Sequence, residues 1–202
     1  LYLAAYFFVM LLCFIRFKSS SASIYFLLFI GANPLFVNSL VPGSNDIVVI
    51  AFLLWSAFLL EKQKYIPSGI FFGLSLATKQ SAWFAIPFFL FYVWQKSGKK
   101  TFLNFSLASL ISSLLFYLPF MIWNFRDLLD DLVFYANGSL VSSYPITGMG
   151  FGMLLVSLGT VPSIYTYYPF WIWQVAMGFP ILFFFLRRLK QDMNIGYLLF
   201  GY

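Results

Sequence analysis

The stretch IVVIAFLLWSAFLL, residues Ile47 to Leu60, decides the fold. It carries no charge and is bounded by Asp46 on one side and Glu61-Lys62-Gln63-Lys64 on the other. Its apolar residues do not alternate with polar ones, as the strands of a membrane barrel would. Ile24 to Ile30 reads the same way. In lipid every backbone polar group is paired within the protein, which leaves only helices and closed barrels. Without alternation, helices remain. The whole chain agrees: of its 202 residues 62% are hydrophobic and 9% charged, whereas soluble domains carry about a quarter charged residues. The expected fold is all-α, a polytopic transmembrane helix bundle.

Working outward, further apolar segments lie at residues 1–15, 24–41, 65–78, 81–95, 101–123, 149–162, 168–186 and from 193 on. They read as one multi-pass transmembrane domain over 1–202, with an outer loop at 124–148. Both chain ends fall within apolar runs, so the chain reads as truncated at both ends.

Charge gives the topology. The net charge is +6, but the basic residues sit in short clusters between apolar runs, the positive-inside pattern rather than a nucleic-acid footprint. Strict alternation places ten of the twelve Lys and Arg residues on the cytoplasmic side. Lys79 and Arg126 fall outside, with Asp46, Asp127, Asp130 and Asp131. Only one crossing then fits between Gly148 and Arg187, so Met149 to Pro162 is expected to be a re-entrant or interfacial helix on the outer side. Several spans are shorter than the roughly 20 residues a bilayer needs: either they are short helices with polar ends at an outer cavity, or Ile66 to Trp94 is one long helix with Lys79 buried midway, which charge parity disfavours.

The absence of histidine and the single Cys13 exclude imidazole chemistry, thiolate zinc sites and a disulfide framework. Charged groups at membrane depth cost about 2.5–3.5 kcal/mol on insertion scales and tend to be paired or functional. Two places qualify. Pro42-Gly43-Ser44-Asn45-Asp46 is an outer turn opening a helix; Ser44 or Asn45 would cap it and Asp46 would sit on its positive end. Gly69-xxx-Gly73 followed by Thr78-Lys79-Gln80 combines a close-packing face with a rim cation. Lys79 fits either a side chain snorkelling to the interface or a point charge for a phosphate. Asp127, Asp130 and Asp131 sit at helical spacing, as in a surface helix lying on the membrane. Trp55, Trp94, Trp123 and Trp171 read as interfacial aromatics.

Over residues 33–100, Asn45-Asp46, an apolar helix, the Glu61 to Lys64 loop and the Gly69 to Gln80 stretch together resemble the GT-C superfamily of membrane glycosyltransferases. The likeness is to the branch of protein mannosyltransferases and lipid A aminoarabinose transferases. It implies inverting transfer of a sugar from a polyprenyl-phosphate donor to a lipid, glycan or protein acceptor on the non-cytoplasmic face. It also implies an integral multi-pass protein of a prokaryotic plasma membrane or the endoplasmic reticulum. Lys79 would meet the donor phosphate, Asn45 and Asp46 would line the cavity, and Gln80 would sit beside them. The principal catalytic Asp of the family would lie upstream of Leu1. No cofactor is implied beyond the divalent metal that some members use, and the chain shows no ligand cluster for one. The competing reading is a transporter or flippase for a lipid-linked or small substrate, for which an inverted repeat would be expected.

Overall fold

The computed structural model describes residues 2–16, 46–135, 138–140, 143, 145–147 and 150–192. The spans expected at 24–41 and from 193 lie outside these, as does Asn45. All regular structure among the described residues is helical. It comprises α1 (Tyr2–Arg16), α2 (Asp46–Glu61), α3 (Tyr65–Thr78), a 3₁₀ turn (Gln80–Ala85), α4 (Ile86–Leu129), a π turn (Asp130–Phe134), α5 (Phe151–Ser157) and α6 (Phe170–Gln191). Two compact units result, one running to Phe116 and resuming at Arg188, the other Tyr117–Arg187.

In the first unit α2 and α3 form a tight hairpin. At the end of α2, Gln63 N–H donates to Leu60 O at 2.9 Å and Lys64 N–H to Leu59 O at 2.8 Å. That is a Schellman closure, and it places Gln63 at φ 58, a region usually left to glycine. The two helices are then clasped by buried serines. Ser56 Oγ donates to Ser68 O at 3.0 Å, Ser68 Oγ donates to Ser56 O at 2.8 Å, and the two hydroxyls lie 2.9 Å apart. Each hydroxyl is satisfied across the interface, which is what an apolar interior demands.

Helical backbone runs from Ile86 to Leu129, but it does not run straight. The ring of Phe72 stacks on Phe89 with centroids 4.4 Å apart and on Phe105 at 5.6 Å. In a straight helix residues 89 and 105 would stand about 24 Å apart. The chain therefore turns back at Gly98, whose φ of 76 only glycine adopts freely. Trp94 and Phe102 meet across this turn at 5.1 Å. Within this unit α2, α3 and the two arms of α4 run back and forth. The turn at Gln63 and the turn at Gly98 come to the same end, where Ser97 Oγ donates to Tyr65 Oη at 2.5 Å.

The Gly69 and Gly73 face packs on the second arm of α4. A Cβ on Gly69 would lie 2.5 Å from Phe105 O, and one on Gly73 would overlap Ser109 O and Ser112 Oγ. Close approach of backbones is the purpose of such a face in lipid. On the other side α1 packs on α2, with Val9 buried against Ile47, Val48 and Ala51. Trp55 corrects the sequence reading. It is no interfacial anchor, because its ring is stacked between Phe8 at 4.5 Å and Phe71 at 6.0 Å and its buried Nε1 has no hydrogen-bond partner among the described residues. Trp94, Trp123 and Trp171 are exposed.

In the second unit the helix carries on past Pro119 into the segment expected as loop. Asn124 Oδ1 accepts from Arg126 N–H at 3.1 Å and Asp127 N–H at 3.3 Å, the arrangement of an N-cap, so a fresh helical start lies there. The π turn follows, and Gly138 at φ 83 closes it. Helix α5 is seven residues, shorter than the segment 149–162 suggested. A second Schellman closure stops it: Gly159 N–H donates to Val156 O and Thr160 N–H to Leu155 O, both at 3.0 Å, with Gly159 at φ 72. Phe179, Ile181 and Phe184 on α6 are each more than 60% exposed. Among the described residues two helical stretches, Gln80–Phe134 and Phe170–Gln191, are long and apolar enough to cross a membrane. Surfaces this apolar require a non-aqueous environment or a partner.

Candidate functional site

Lys79 and Asp46 meet at the end of the α2–α3 hairpin opposite the Gln63 turn. Lys79 Nζ lies 2.6 Å from Asp46 Oδ1. Local sequence puts them there. Asp46 opens α2, where a carboxylate complements the helix's positive end. Thr78 ends α3 and Lys79 leaves the helix in extended conformation, φ −160 and ψ 143, so its ammonium stands by the negative end. The chain then tightens into the 3₁₀ turn. Ala82 N–H donates to Lys79 O at 3.1 Å, and Trp83 Nε1–H reaches back to Leu76 O at 3.1 Å, supplying a partner to a carbonyl in the last turn of α3.

The pair is open to its surroundings, with 40% of the Lys79 side chain and 48% of the Asp46 side chain exposed. An ammonium has three donors. One is given to Asp46, and among the described residues the others meet no further acceptor. Gln80 is half-buried at the start of the 3₁₀ turn, directly after Lys79. Thus the structure brings Lys79 and Asp46 together and keeps Gln80 adjacent in the chain. Asn45 is outside the described residues.

A model of glycosyltransferase family 87 matches residues 1–200. The chain belongs to glycosyltransferase family 87. No curated protein and no solved structure matches it. With its apolar helical stretches, this family 87 chain is a membrane protein. Among the described residues no group of three or more His, Cys, Asp or Glu side chains could hold a metal ion.

Two hollows of the family 87 chain lie within the second unit. A groove of about 240 Å³ is bordered by Trp123, Asn124, Asp127 and Asp131. Asn124 Nδ2–H donates to Asp127 Oδ2 at 2.6 Å there, so this carboxylate serves the helix start. A larger pocket of about 370 Å³ is lined by Tyr135, Tyr165, Tyr167 and Tyr168, among others. The sequence reading did not single these tyrosines out. The one available signal was the run Tyr165-Thr166-Tyr167-Tyr168 between two apolar segments.

Proposed function

We propose that this chain is part of a multi-pass membrane glycosyltransferase whose donor is a polyprenyl-phosphate sugar, with Lys79 meeting the donor phosphate on the non-cytoplasmic face. The acceptor is a lipid, glycan or protein. The observation that carries this reading is the half-exposed Lys79–Asp46 pair, 2.6 Å apart, at the end of a hairpin of short apolar helices. A prenyl phosphate keeps its tail in lipid and its anionic head at the interface, and a rim ammonium with donors to spare suits that head. The likeness of residues 33–100 to the polyprenyl-phosphate-dependent branch supports the same donor.

Chemically, the sugar's anomeric carbon loses its bond to the phosphate oxygen as the acceptor hydroxyl attacks. Negative charge grows on the departing prenyl phosphate. A fixed cation beside it stabilises that charge more in the transition state than in the ground state, which is how such a group accelerates the step. Asp46 holds the Lys79 ammonium in place and is a positioning residue. The acceptor proton passes to a carboxylate base, as the GT-C resemblance implies.

The test is made on the full-length enzyme in membranes, with a polyprenyl-phosphate sugar as donor. Lys79→Ala is expected to lower transfer by about ten- to a hundredfold, the range of a lost charge-assisted contact of about 1.5–3 kcal/mol. Lys79→Arg should keep part of the rate, since it retains the charge without the same point geometry. Unchanged transfer by Lys79→Ala removes the donor-phosphate role. So does labelling of a Lys79→Cys variant from the cytoplasmic side alone.

A further inference from the structure

The larger pocket of the second unit differs in kind from the Lys79–Asp46 site. Among the described residues that line it none carries a formal charge. Instead it offers the rings of Tyr135, Tyr165, Tyr167 and Tyr168 and the hydroxyls of Thr147 and Thr166. Its volume of about 370 Å³ lies at the lower end of small-molecule sites, which run from about 300 to 1,000 Å³.

The walls are held in place. Ile146 N–H donates to Ile164 O at 2.8 Å, tying together two segments of the lining. Tyr168 Oη accepts from Trp173 Nε1–H at 3.0 Å, which fixes one tyrosine ring. At Gly152 a Cβ would stand 2.8 Å from Ile146 Cγ2 and 3.1 Å from Phe170 Cζ, so this wall is already close-packed. Tyr165 and Tyr167, by contrast, are 77% and 49% exposed. Among the described residues their hydroxyls make no hydrogen bond.

We infer that this pocket binds an uncharged sugar ring. The inference rests on the glycosyltransferase reading and deepens it. A pyranose or furanose presents C–H groups on its faces and hydroxyls around its edge. A tyrosine answers both, with a flat apolar ring and a polar tip. Threonine hydroxyls both donate and accept, as sugar hydroxyls do. A phosphate or carboxylate finds no cation among the described lining and is disfavoured by desolvation. The ring comes either from the acceptor glycan or from the glycosyl end of the donor; the chemistry recognised is the same.

The experiment uses this chain in lipid nanodiscs and saturation-transfer NMR, with methyl glycosides of neutral hexoses and pentoses as probes. Hexose 1-phosphates and a methyl glucuronide serve as charged controls. Neutral glycosides are expected to receive saturation and the charged sugars little. Tyr165→Ala with Tyr167→Ala should weaken binding by about three- to tenfold, the size of an aromatic contact. Thr147→Val with Thr166→Val should weaken it without removing a ring. Helicity by circular dichroism checks that each variant is folded. Absence of saturation on every neutral glycoside, equal binding of the charged sugars, or full binding after loss of both tyrosines overturns the assignment.

A polyprenyl-phosphate sugar added to the wild-type sample separates the two sources. Displacement of the methyl glycoside assigns the pocket to the donor's sugar, and persistence assigns it to the acceptor. Failure here is distinct from failure of the donor-phosphate reading, because glycoside binding does not pass through Lys79.

Discussion

The α2–α3 hairpin and the tyrosine pocket solve opposite problems. The hairpin excludes everything: serines clasp it, glycines let the neighbouring arm touch its backbone, and Phe72 fills the remaining space between the two arms of α4. The pocket region keeps space open and points tyrosines toward it. The contrast teaches where tolerance lies. A glycine facing a neighbour's backbone has no slack, whereas one facing the tips of side chains has some.

That contrast can be broken by matched substitutions. Gly73→Ala is expected to have the largest effect, because its methyl would overlap the carbonyl of Ser109 and the hydroxyl of Ser112. Overpacking of this kind costs about 1–3 kcal/mol, and a backbone obstacle puts it at the upper end or beyond. Thermal unfolding in detergent would register it. Gly69→Ala should follow closely, facing Phe105 O. Ser56→Ala removes a buried hydroxyl that serves two partners. Interhelical polar contacts in membranes average about 0.6 kcal/mol and reach about 1.7, so a loss near 1 kcal/mol is expected. Gly152→Ala should be mildest, under about 1 kcal/mol, since Ile146 Cγ2 and Phe170 Cζ are side-chain tips that can yield. If Gly152→Ala destabilises as much as Gly73→Ala, the distinction between the two regions collapses. Gln63→Gly should act in the other direction, stabilising by up to about 1 kcal/mol, because the residue stands at φ 58.

The hairpin was legible in the sequence and the pocket was not, for a physical reason. Apolar runs and loop charges act locally. They gave α3 its bounds at Tyr65 and Thr78 and gave α2 to within one residue at each end. The same signals placed Asp46 and Lys79 on one side. Their pairing across 33 residues is a tertiary fact, set by helix lengths and by the extended residue that ends α3. Trp55 was misread because a tryptophan near a segment end looks the same whether it meets headgroups or two phenylalanine rings. Helix α5 proved shorter than its apolar segment because Gly159, not hydrophobicity, decides where it stops. The pocket depends on Ile146 meeting Ile164, a contact no local pattern encodes.

The brevity of α3 has a mechanical outcome for the surrounding lipid. Its 14 residues make a rod of about 21 Å, against a hydrocarbon layer of about 30 Å. Acyl chains beside so stubby a rod, were it to span the layer alone, would shorten or splay. Such thinning would lower the leaflet surface toward the Lys79 end, and the donor proposed above would then reach the ammonium by sideways diffusion alone.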